Sequence, residues 1–464
     1  MSDWVVRPKT KGRAKPWAKK TPIEKIKAAI WLYFLLIIFE GALRKWVLPF
    51  LATPLLIVRD PIALWILITA YRNNLFPKVS YVIIMNMLGI LGIITAVSMG
   101  HGNIMVALFG ARIYMLHFPL MFVIGKVFTH KDVVDVGKIT LWISIPMLVL
   151  IALQFYTPQS SWFNRSVGGG SEGGGFDGAM GFFRPPGTFS FTSGTTAFFS
   201  FAACYVFYFL LNPTLIKRWL LFGATAAVLA SIPLSISRTL FFQIGVSGLF
   251  AFMAVIQKPK YLGKMMMAVG GGLIAVALLS TTSFFQTAMG AFFARFESAS
   301  EFEGGLKGSL GDRFLGSLIE SVFGNAKVPF WGYGLGMGTN VGSMLLSGAV
   351  VFLIAEGEWA RIIGEMGPLL GIAIIVVRLA LSVKLSLASY KKVRKGDLLP
   401  WLLLSFGVLN IAQGQWAPPN LLGFSTLIGG LIIASLKKER KEPVIIERKI
   451  TQGTNHEDSS DWQL

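Results

Sequence analysis

The sequence predicts an all-α fold, a polytopic bundle of about twelve transmembrane helices. Hydrophobic residues make up 54% of its 464 residues, and the mean hydropathy of +0.63 is typical of an integral membrane protein. Apolar stretches long enough to cross a hydrocarbon core of about 30 Å recur along the chain. Because no segment alternates polar and apolar residues as the strands of a membrane barrel do, the spans are predicted to be helices.

The predicted spans follow one another with short polar connections, except at two places. They lie near residues 27–48, 54–71, 79–99, 104–126, 134–156, 192–211, 218–237, 239–257, 265–285, 366–386, 398–412 and 420–436. The chain therefore divides into a basic tail (1–26), a transmembrane domain (27–436) and a second tail (437–464). The polar, basic start predicts that no cleavable signal peptide is present.

Positive charge is distributed in a way that indicates topology rather than a nucleic-acid partner. The formal net charge is +20, and most Lys and Arg clusters lie in the two tails and in alternate short loops. These clusters fall on one side of a membrane if the amino terminus is inside, as the positive-inside rule predicts. We therefore expect both termini in the cytoplasm. The single cysteine, Cys204, excludes disulfides within the chain and a cysteine-based zinc site.

This topology leaves two long external loops, about 157–191 between spans five and six and about 286–365 between spans nine and ten. The first contains a glycine-rich run, Gly168–Phe176. Such a run is typical of a lid or flexible linker, with a plain surface loop as the alternative. The second loop carries mixed charge, including Arg295, and is the more promising place for chemistry.

Two helices are predicted in the second loop. Ser309–Glu320 has apolar residues at helical spacing. The segment 356–367 is also predicted to be helical and to end at the membrane surface where span ten begins. On it Glu358, Arg361 and Glu365 share one face, so a salt-bridged surface helix is the alternative to a functional site.

Four arginines lie near the external membrane boundary, where the positive-inside rule disfavours them. They are Arg184 in RPPGTFS, Arg238 in SISR, Arg313 in GDR and Arg361 in EWARIIGE. A guanidinium at this depth is costly unless it is paired or functional. Its planar fork of donors suits two-point recognition of phosphate oxygens. Each alone fits a structural anchor, but together they predict an anionic ligand.

A second group of ionisable residues lies in or near spans one, two and four. It comprises Glu40, Arg44, Lys45, Arg59, Asp60, Arg112 and His117. An Arg59–Asp60 pair with Glu40 predicts a buried ionic clamp between spans one and two, which we favour over substrate contact. Arg112 and His117 are functional candidates because they lie inside a span. A core histidine with satisfied hydrogen bonds is the alternative for His117.

Four short motifs, in their order and spacing over roughly residues 80–435, resemble the O-antigen ligase and polymerase superfamily of bacterial membrane glycosyltransferases. They are RPPGTFS before span six, SISR after span seven, GYGLGMGTN in the long loop, and Glu365-Met366-Gly367 before span ten. The resemblance implies a GT-C-like helical enzyme that works without metal or other cofactor on the outer face of the plasma membrane. Ligases of this kind pass glycan from undecaprenyl pyrophosphate to lipid A core, whereas polymerases pass it to another lipid-linked repeat unit.

One departure favours a polymerase over a ligase. Ligases carry a His shortly before the Glu-x-Gly ending, but the long loop here contains no His. A divergent ligase remains the alternative. The segment FEGALRKW followed by RDP is similar to a subgroup associated with exopolysaccharide assembly. By position, Arg184 and Arg238 match arginines of the family, and Arg313 is a looser match.

The resemblance also predicts roles for individual residues. Pyrophosphate is a good leaving group, so catalysis requires holding it, aligning the acceptor hydroxyl and accepting a proton. The arginines Arg184, Arg238 and Arg313 are expected to bind the pyrophosphate. Glu356 or Glu358 is expected to be the base on the acceptor sugar, and Arg361 is expected to orient that base. The aromatic side chains expected to stack on sugar faces are Trp331, Tyr333 and Trp359, with interfacial anchoring as the alternative.

The expected partners are an undecaprenyl-pyrophosphate-linked oligosaccharide, the lipid bilayer and other polysaccharide-assembly proteins. Transfer in one step would invert the anomeric centre. Two other functions compete with this one, a lipid-linked oligosaccharide flippase and a non-catalytic subunit of an export complex. A transporter is disfavoured because no repeat is visible and because the charges concentrate outside the spans.

Overall fold

The computed structural model describes residues 21–303, 328–348, 353–355 and 357–437. Within these residues the chain is a bundle of helices with one small β-hairpin. The helices are α1 (Pro22–Ala42), α2 (Ala52–Leu55), α3 (Arg59–Arg72), α4 (Ser80–Ser98), α5 (Ile104–Arg112), α6 (Phe118–Val127), α7 (His130–Tyr156), α8 (Thr192–Leu211), α9 (Arg218–Leu234), α10 (Arg238–Gln257), α11 (Leu262–Ser280), α12 (Ser283–Glu303), α13 (Asn340–Ser347), α14 (Glu358–Arg394), α15 (Leu399–Ala412) and α16 (Pro419–Ser435).

The predicted all-α membrane fold is confirmed at this level of description. Among the described residues, eight helical segments are long and apolar enough to cross a membrane, or nine if the bent pair Pro49–Leu55 and Arg59–Arg72 forms one span. Three shorter apolar helices are α9, α15 and α16. Each predicted stretch thus contains an apolar helix, while the count of twelve spans stays a prediction.

Helix starts follow local capping rules. Thr21 caps α1 and Thr129 caps α7, each in a reciprocal capping box with the acidic residue three positions on. The Asn103 side chain caps α5, and the Ser237 side chain accepts from Leu240 N at the start of α10. These caps place the ends of the helices that carry the polar sites.

Two π-helical segments interrupt the bundle at its buried polar groups. Leu43–Val47 continues α1, and Ile113–His117 joins α5 to α6. The first buries Arg44 and Lys45, and the second buries His117. Such segments often mark functional sites because the extra residue per turn turns side chains to a new face.

The connection between α7 and α8 carries the hairpin of β1 (Phe176–Ala179) and β2 (Phe182–Arg184), which pair antiparallel. We call this end of the bundle the hairpin end. The glycine-rich run is docked there, because Gly168 N donates to Arg44 O (3.1 Å) and Gly175 N donates to Gln159 Oε1 (3.1 Å). This docking fits the surface-loop alternative rather than a free linker.

Helix α14 is folded back on itself at Gly367, whose φ is +73° and which is followed by Pro368. An ideal Cβ on Gly371 would lie only 2.9 Å from Ile363 Cα, so the two arms pack side by side. The arm before the kink therefore lies against span ten and does not simply lead into it, which corrects the predicted surface helix. Gly332 packs on this kink, since an ideal Cβ there would lie 2.5 Å from Glu365 O.

The predicted helix Ser309–Glu320 and most of the two tails lie outside the described residues. The transmembrane domain was expected to begin at residue 27, whereas α1 begins at Pro22.

Candidate functional site

Three arginines approach one another at the hairpin end. Arg184 ends β2, Arg238 is the first residue of α10, and Arg295 lies on α12. Burial lowers the pKa of the Arg184 guanidinium, and the positive charges of Arg295 and then Arg238 lower that pKa further. We call this group the arginine cluster. Such a concentration of positive charge favours a bound anion.

Packing of aromatic and small residues brings the three elements together. The rings of Phe241 on α10 and Phe292 on α12 lie 6.1 Å apart, edge to face. The hairpin lies on the turn before α10, because an ideal Cβ on Gly178 would be 2.5 Å from Ile236 Cδ1 and 3.5 Å from Arg184 Cγ. The Arg184 Nε atom is buried and has no hydrogen-bond partner among the described residues. A donor in this state is available to a ligand oxygen.

An apolar cavity of about 430 Å³ is lined in part by α12, the helix that carries Arg295. Its lining comes from the end of α7, the end of α9, the end of α11 and the start of α12. Leu234 in this lining is four residues before Arg238, and Ala288 is seven residues before Arg295. Along α12 seven residues span about 10 Å, and only the three-residue turn 235–237 separates Leu234 at the end of α9 from Arg238 at the start of α10. The cavity and the arginine cluster therefore form neighbouring apolar and cationic surfaces.

The hairpin connects the cavity with the cluster. Phe182 on β2 stacks on Phe155 of α7, with ring centroids 4.6 Å apart and an interplanar angle of 6°. The adjacent Tyr156 lines the cavity and packs edge to face on Phe284, at 5.1 Å. Movement of the hairpin would thus alter both surfaces.

A second group of arginines lies apart from this cluster in a buried ion-pair network. Arg361 Nε and Nη2 each lie 3.0 Å from an oxygen of Glu358, and Arg361 Nη1 lies 2.7 Å from Glu365 Oε2. Arg378 Nη1 donates to Glu358 Oε1 at 2.6 Å. Two guanidinium groups thus face two carboxylates, and no side chain of the four is more than 3% exposed. We call these four residues the α14 network.

The α14 network joins three parts of the fold. Arg378 donates to Gly414 O (2.7 Å) and lies 3.8 Å above the ring of Trp416. Gly338 N donates to Glu365 Oε1 at 2.9 Å. The predicted salt-bridged face is therefore present but is buried. Both oxygens of Glu358 accept from guanidinium groups, so the geometry favours a structural role over the predicted base.

The other predicted site residues differ in whether the structure describes them and in how exposed they are. Glu356 and Arg313 lie outside the described residues. Trp359 is 8% exposed and donates to Ala412 O at 3.2 Å, a buried position that disfavours the predicted sugar contact. Trp331 is half-buried and Tyr333 is 40% exposed, so both keep the surface that stacking on a sugar requires.

The predicted clamp between spans one and two is formed by different partners. Glu40 Oε2 accepts from Arg59 Nε at 3.1 Å, as expected. Asp60 instead pairs with Arg112 (2.7 Å) and His117 Nε2 (3.0 Å), because neighbouring helical residues point about 100° apart. His117 Nδ1 also lies 2.9 Å from the Tyr33 hydroxyl. The alternative of a satisfied core histidine is therefore the one observed.

The sequence predicted Arg184 and Arg238 on the same side of the membrane but indicated no role for Arg295. One signal was present, since Arg295 stands inside the aromatic run FFARF, where a cation must be placed against rings or a ligand. The fold defines this chain as a polytopic helical membrane protein. Comparison with protein-family models, curated proteins and solved structures gives no match.

Proposed function

We propose that this protein is a membrane glycosyltransferase that polymerises undecaprenyl-pyrophosphate-linked oligosaccharide repeat units for a surface polysaccharide or exopolysaccharide. The reaction is expected on the outer face of a bacterial plasma membrane, with both termini in the cytoplasm. The proposal joins the motif resemblance to one observation, the arginine cluster beside an apolar cavity. A lipid-linked pyrophosphate has the same two parts, an anionic headgroup and a hydrocarbon tail.

The arginine cluster suits the leaving group of this reaction. The acceptor hydroxyl oxygen attacks the anomeric carbon, the bond from that carbon to the phosphate oxygen breaks, and the electron pair leaves with the undecaprenyl pyrophosphate. Arg184, Arg238 and Arg295 would stabilise the negative charge that develops on it. The buried Nε of Arg184 supplies an uncommitted donor for this purpose. Attack on the face opposite the leaving group inverts the anomeric centre.

The proton of the acceptor hydroxyl needs a base. Glu358 is held by two guanidinium groups, so we assign the proton to Glu356. Arg361 then acts by holding the arm that begins after Glu356, and Trp331 and Tyr333 remain the candidates for sugar stacking. The pyrophosphate role of Arg313 stays part of the proposal.

Reconstitution in vesicles with a lipid-pyrophosphate-linked repeat unit tests the proposal. Products longer than one repeat unit are expected, and they should disappear in Glu356→Gln but persist in Glu358→Gln at equal amounts of folded protein. Movement of the lipid-linked unit across the bilayer without elongation would identify a flippase instead. Neither elongation nor movement would identify a non-catalytic subunit and refute the proposal.

A further inference from the structure

The peptide group of Gly187, in the loop that follows Arg184, is held by side chains from two helical segments. Gln154 on α7 accepts from Gly187 N through Oε1 at 2.7 Å and donates to Gly187 O through Nε2 at 3.2 Å. Lys45 Nζ, from the π segment after α1, donates to the same carbonyl at 3.2 Å. Gly187 has φ +60°, a conformation that side chains rarely adopt. Three side-chain hydrogen bonds therefore converge on the backbone of Gly187.

The same loop is docked closely on the end of α1. Thr188 Oγ1 donates to Ile38 O at 2.6 Å, and Arg44 Nη1 donates to Ser190 Oγ at 2.9 Å. An ideal Cβ on Gly41 would lie 2.4 Å from Thr188 O, so the two backbones meet without a side chain between them. These contacts account for the clustering of Gly, Arg and Lys in the FEGALRKW segment.

Lys45 is an unusual choice for a purely structural contact. Its side chain is among the largest that are fully buried, and the residue is 1% exposed. Among the described residues its ammonium donates to Gly187 O and lies 5.4 Å from the centroid of the Trp46 ring, and no carboxylate forms an ion pair with it. Removing an ammonium from water without a counter-ion costs on the order of several kcal/mol. The contacts with Gly187 O and with the Trp46 ring offset part of this cost.

The chain between Gly187 and the arginine cluster has little freedom. Arg184 precedes Gly187 by three residues, and the two between them are Pro185 and Pro186. Both prolines are buried, and the rings fix φ near −65°. Holding the Gly187 peptide consequently restricts where the Arg184 guanidinium can lie.

We propose that Lys45 and Gln154 are positioning residues, which hold the Gly187 peptide so that Arg184 faces the anionic part of the donor. This inference rests on the proposed function for its catalytic consequence. Its structural part, that Lys45 restrains the hairpin, stands on the contacts themselves. The two parts are tested separately.

The first experiment measures the hairpin directly. A nitroxide label on Met180→Cys, at the 65% exposed tip of the hairpin, reports local mobility, and the natural Cys204 is buried. Lys45→Met should increase label mobility. The control is Lys264→Met, which removes a comparable ammonium-to-carbonyl bond (Lys264 Nζ to Leu211 O, 2.9 Å) far from the hairpin. Unchanged mobility in Lys45→Met overturns the proposal, whether or not the protein transfers glycan.

The second experiment measures transfer. Lys45→Met should lower kcat/KM for the lipid-linked donor about 10- to 100-fold, the effect of misplacing a catalytic group by about 1 Å. It should change this value less than about twofold when Arg184→Lys is already present, because both substitutions act on one group. Equal effects in both backgrounds would overturn action through Arg184. A mobile label together with an inactive wild type would refute the proposed function and still support the restraint of the loop.

Discussion

The arginine cluster and the α14 network both gather guanidinium groups near the bundle interior, yet they differ in charge. In the α14 network, Arg361 and Arg378 are matched by Glu358 and Glu365 at 2.6 to 3.0 Å. Around Arg184, burial and then the positive charges of Arg295 and Arg238 lower the pKa of its guanidinium. Arginines near a membrane boundary can therefore form matched ion pairs, as in the α14 network, so position along the sequence alone does not identify an anion site.

The largest expected effect comes from breaking the matched network. Arg361→Met leaves the buried carboxylates of Glu358 and Glu365 without their main partner and should destabilise the protein by about 3–5 kcal/mol. Thermal unfolding of the purified protein in detergent measures this loss. A wild-type unfolding temperature accompanied by loss of transfer would instead place Arg361 in the reaction and remove the contrast between the two regions.

Substitution of an arginine in the arginine cluster should lower the rate of transfer and leave the stability of the protein unchanged. Arg184→Lys keeps the charge but loses the planar fork, so kcat/KM for the lipid-linked donor should fall about 100-fold. The unfolding temperature should not change. Arg165→Lys in the same connection is the matched control and should leave kcat/KM at the wild-type value. An equal loss in both variants would argue against specific recognition by Arg184.

A smaller loss is expected at Arg295, the member of the cluster that the sequence did not single out. Arg295→Lys should lower kcat/KM about tenfold, because it lies on a neighbouring helix and a lysine there still contributes a positive charge. Steady-state kinetics over a range of donor concentrations measure this change. Wild-type kinetics would restrict the anion site to Arg184 and Arg238.

The smallest effect concerns the buried indole beside the α14 network. Trp359→Phe removes the hydrogen bond to Ala412 O and should cost about 1 kcal/mol of stability, with the KM for donor and acceptor unchanged. Thermal unfolding and kinetics on the same preparation measure both quantities. A raised KM for the acceptor at wild-type stability would restore Trp359 as a sugar contact.

Local signals in the sequence were sufficient for the helices of this fold. Apolar stretches located each membrane-length helix, and Thr21, Asn103 and Ser237 are the capping residues that such starts favour. The glycines of GYGLGMG allow close backbone packing, and Gly332 has φ +77° on the α14 kink. These features depend on neighbouring residues and can therefore be predicted from a single chain.

Local signals could not predict which charged side chains form ion pairs inside the bundle. Glu358 and Arg378 are twenty residues apart on α14, which a straight helix would separate by about 30 Å, yet their side chains lie 2.6 Å apart. The reversal at Gly367, which Pro368 follows, brings them together. Likewise Asp60 pairs with Arg112 and His117, and the direction of its side chain is set by the packing of spans two and four.

By itself, the sequence determined that this chain is a helical membrane protein and roughly where its apolar helices lie. Hydrophobic length and capping are local properties, so they can be read from consecutive residues. Tertiary structure alone decided which cations pair with carboxylates in the α14 network and which lie together at the hairpin end. That outcome depends on distances between segments remote in the chain, because Coulomb energy falls with separation in space and not along the sequence.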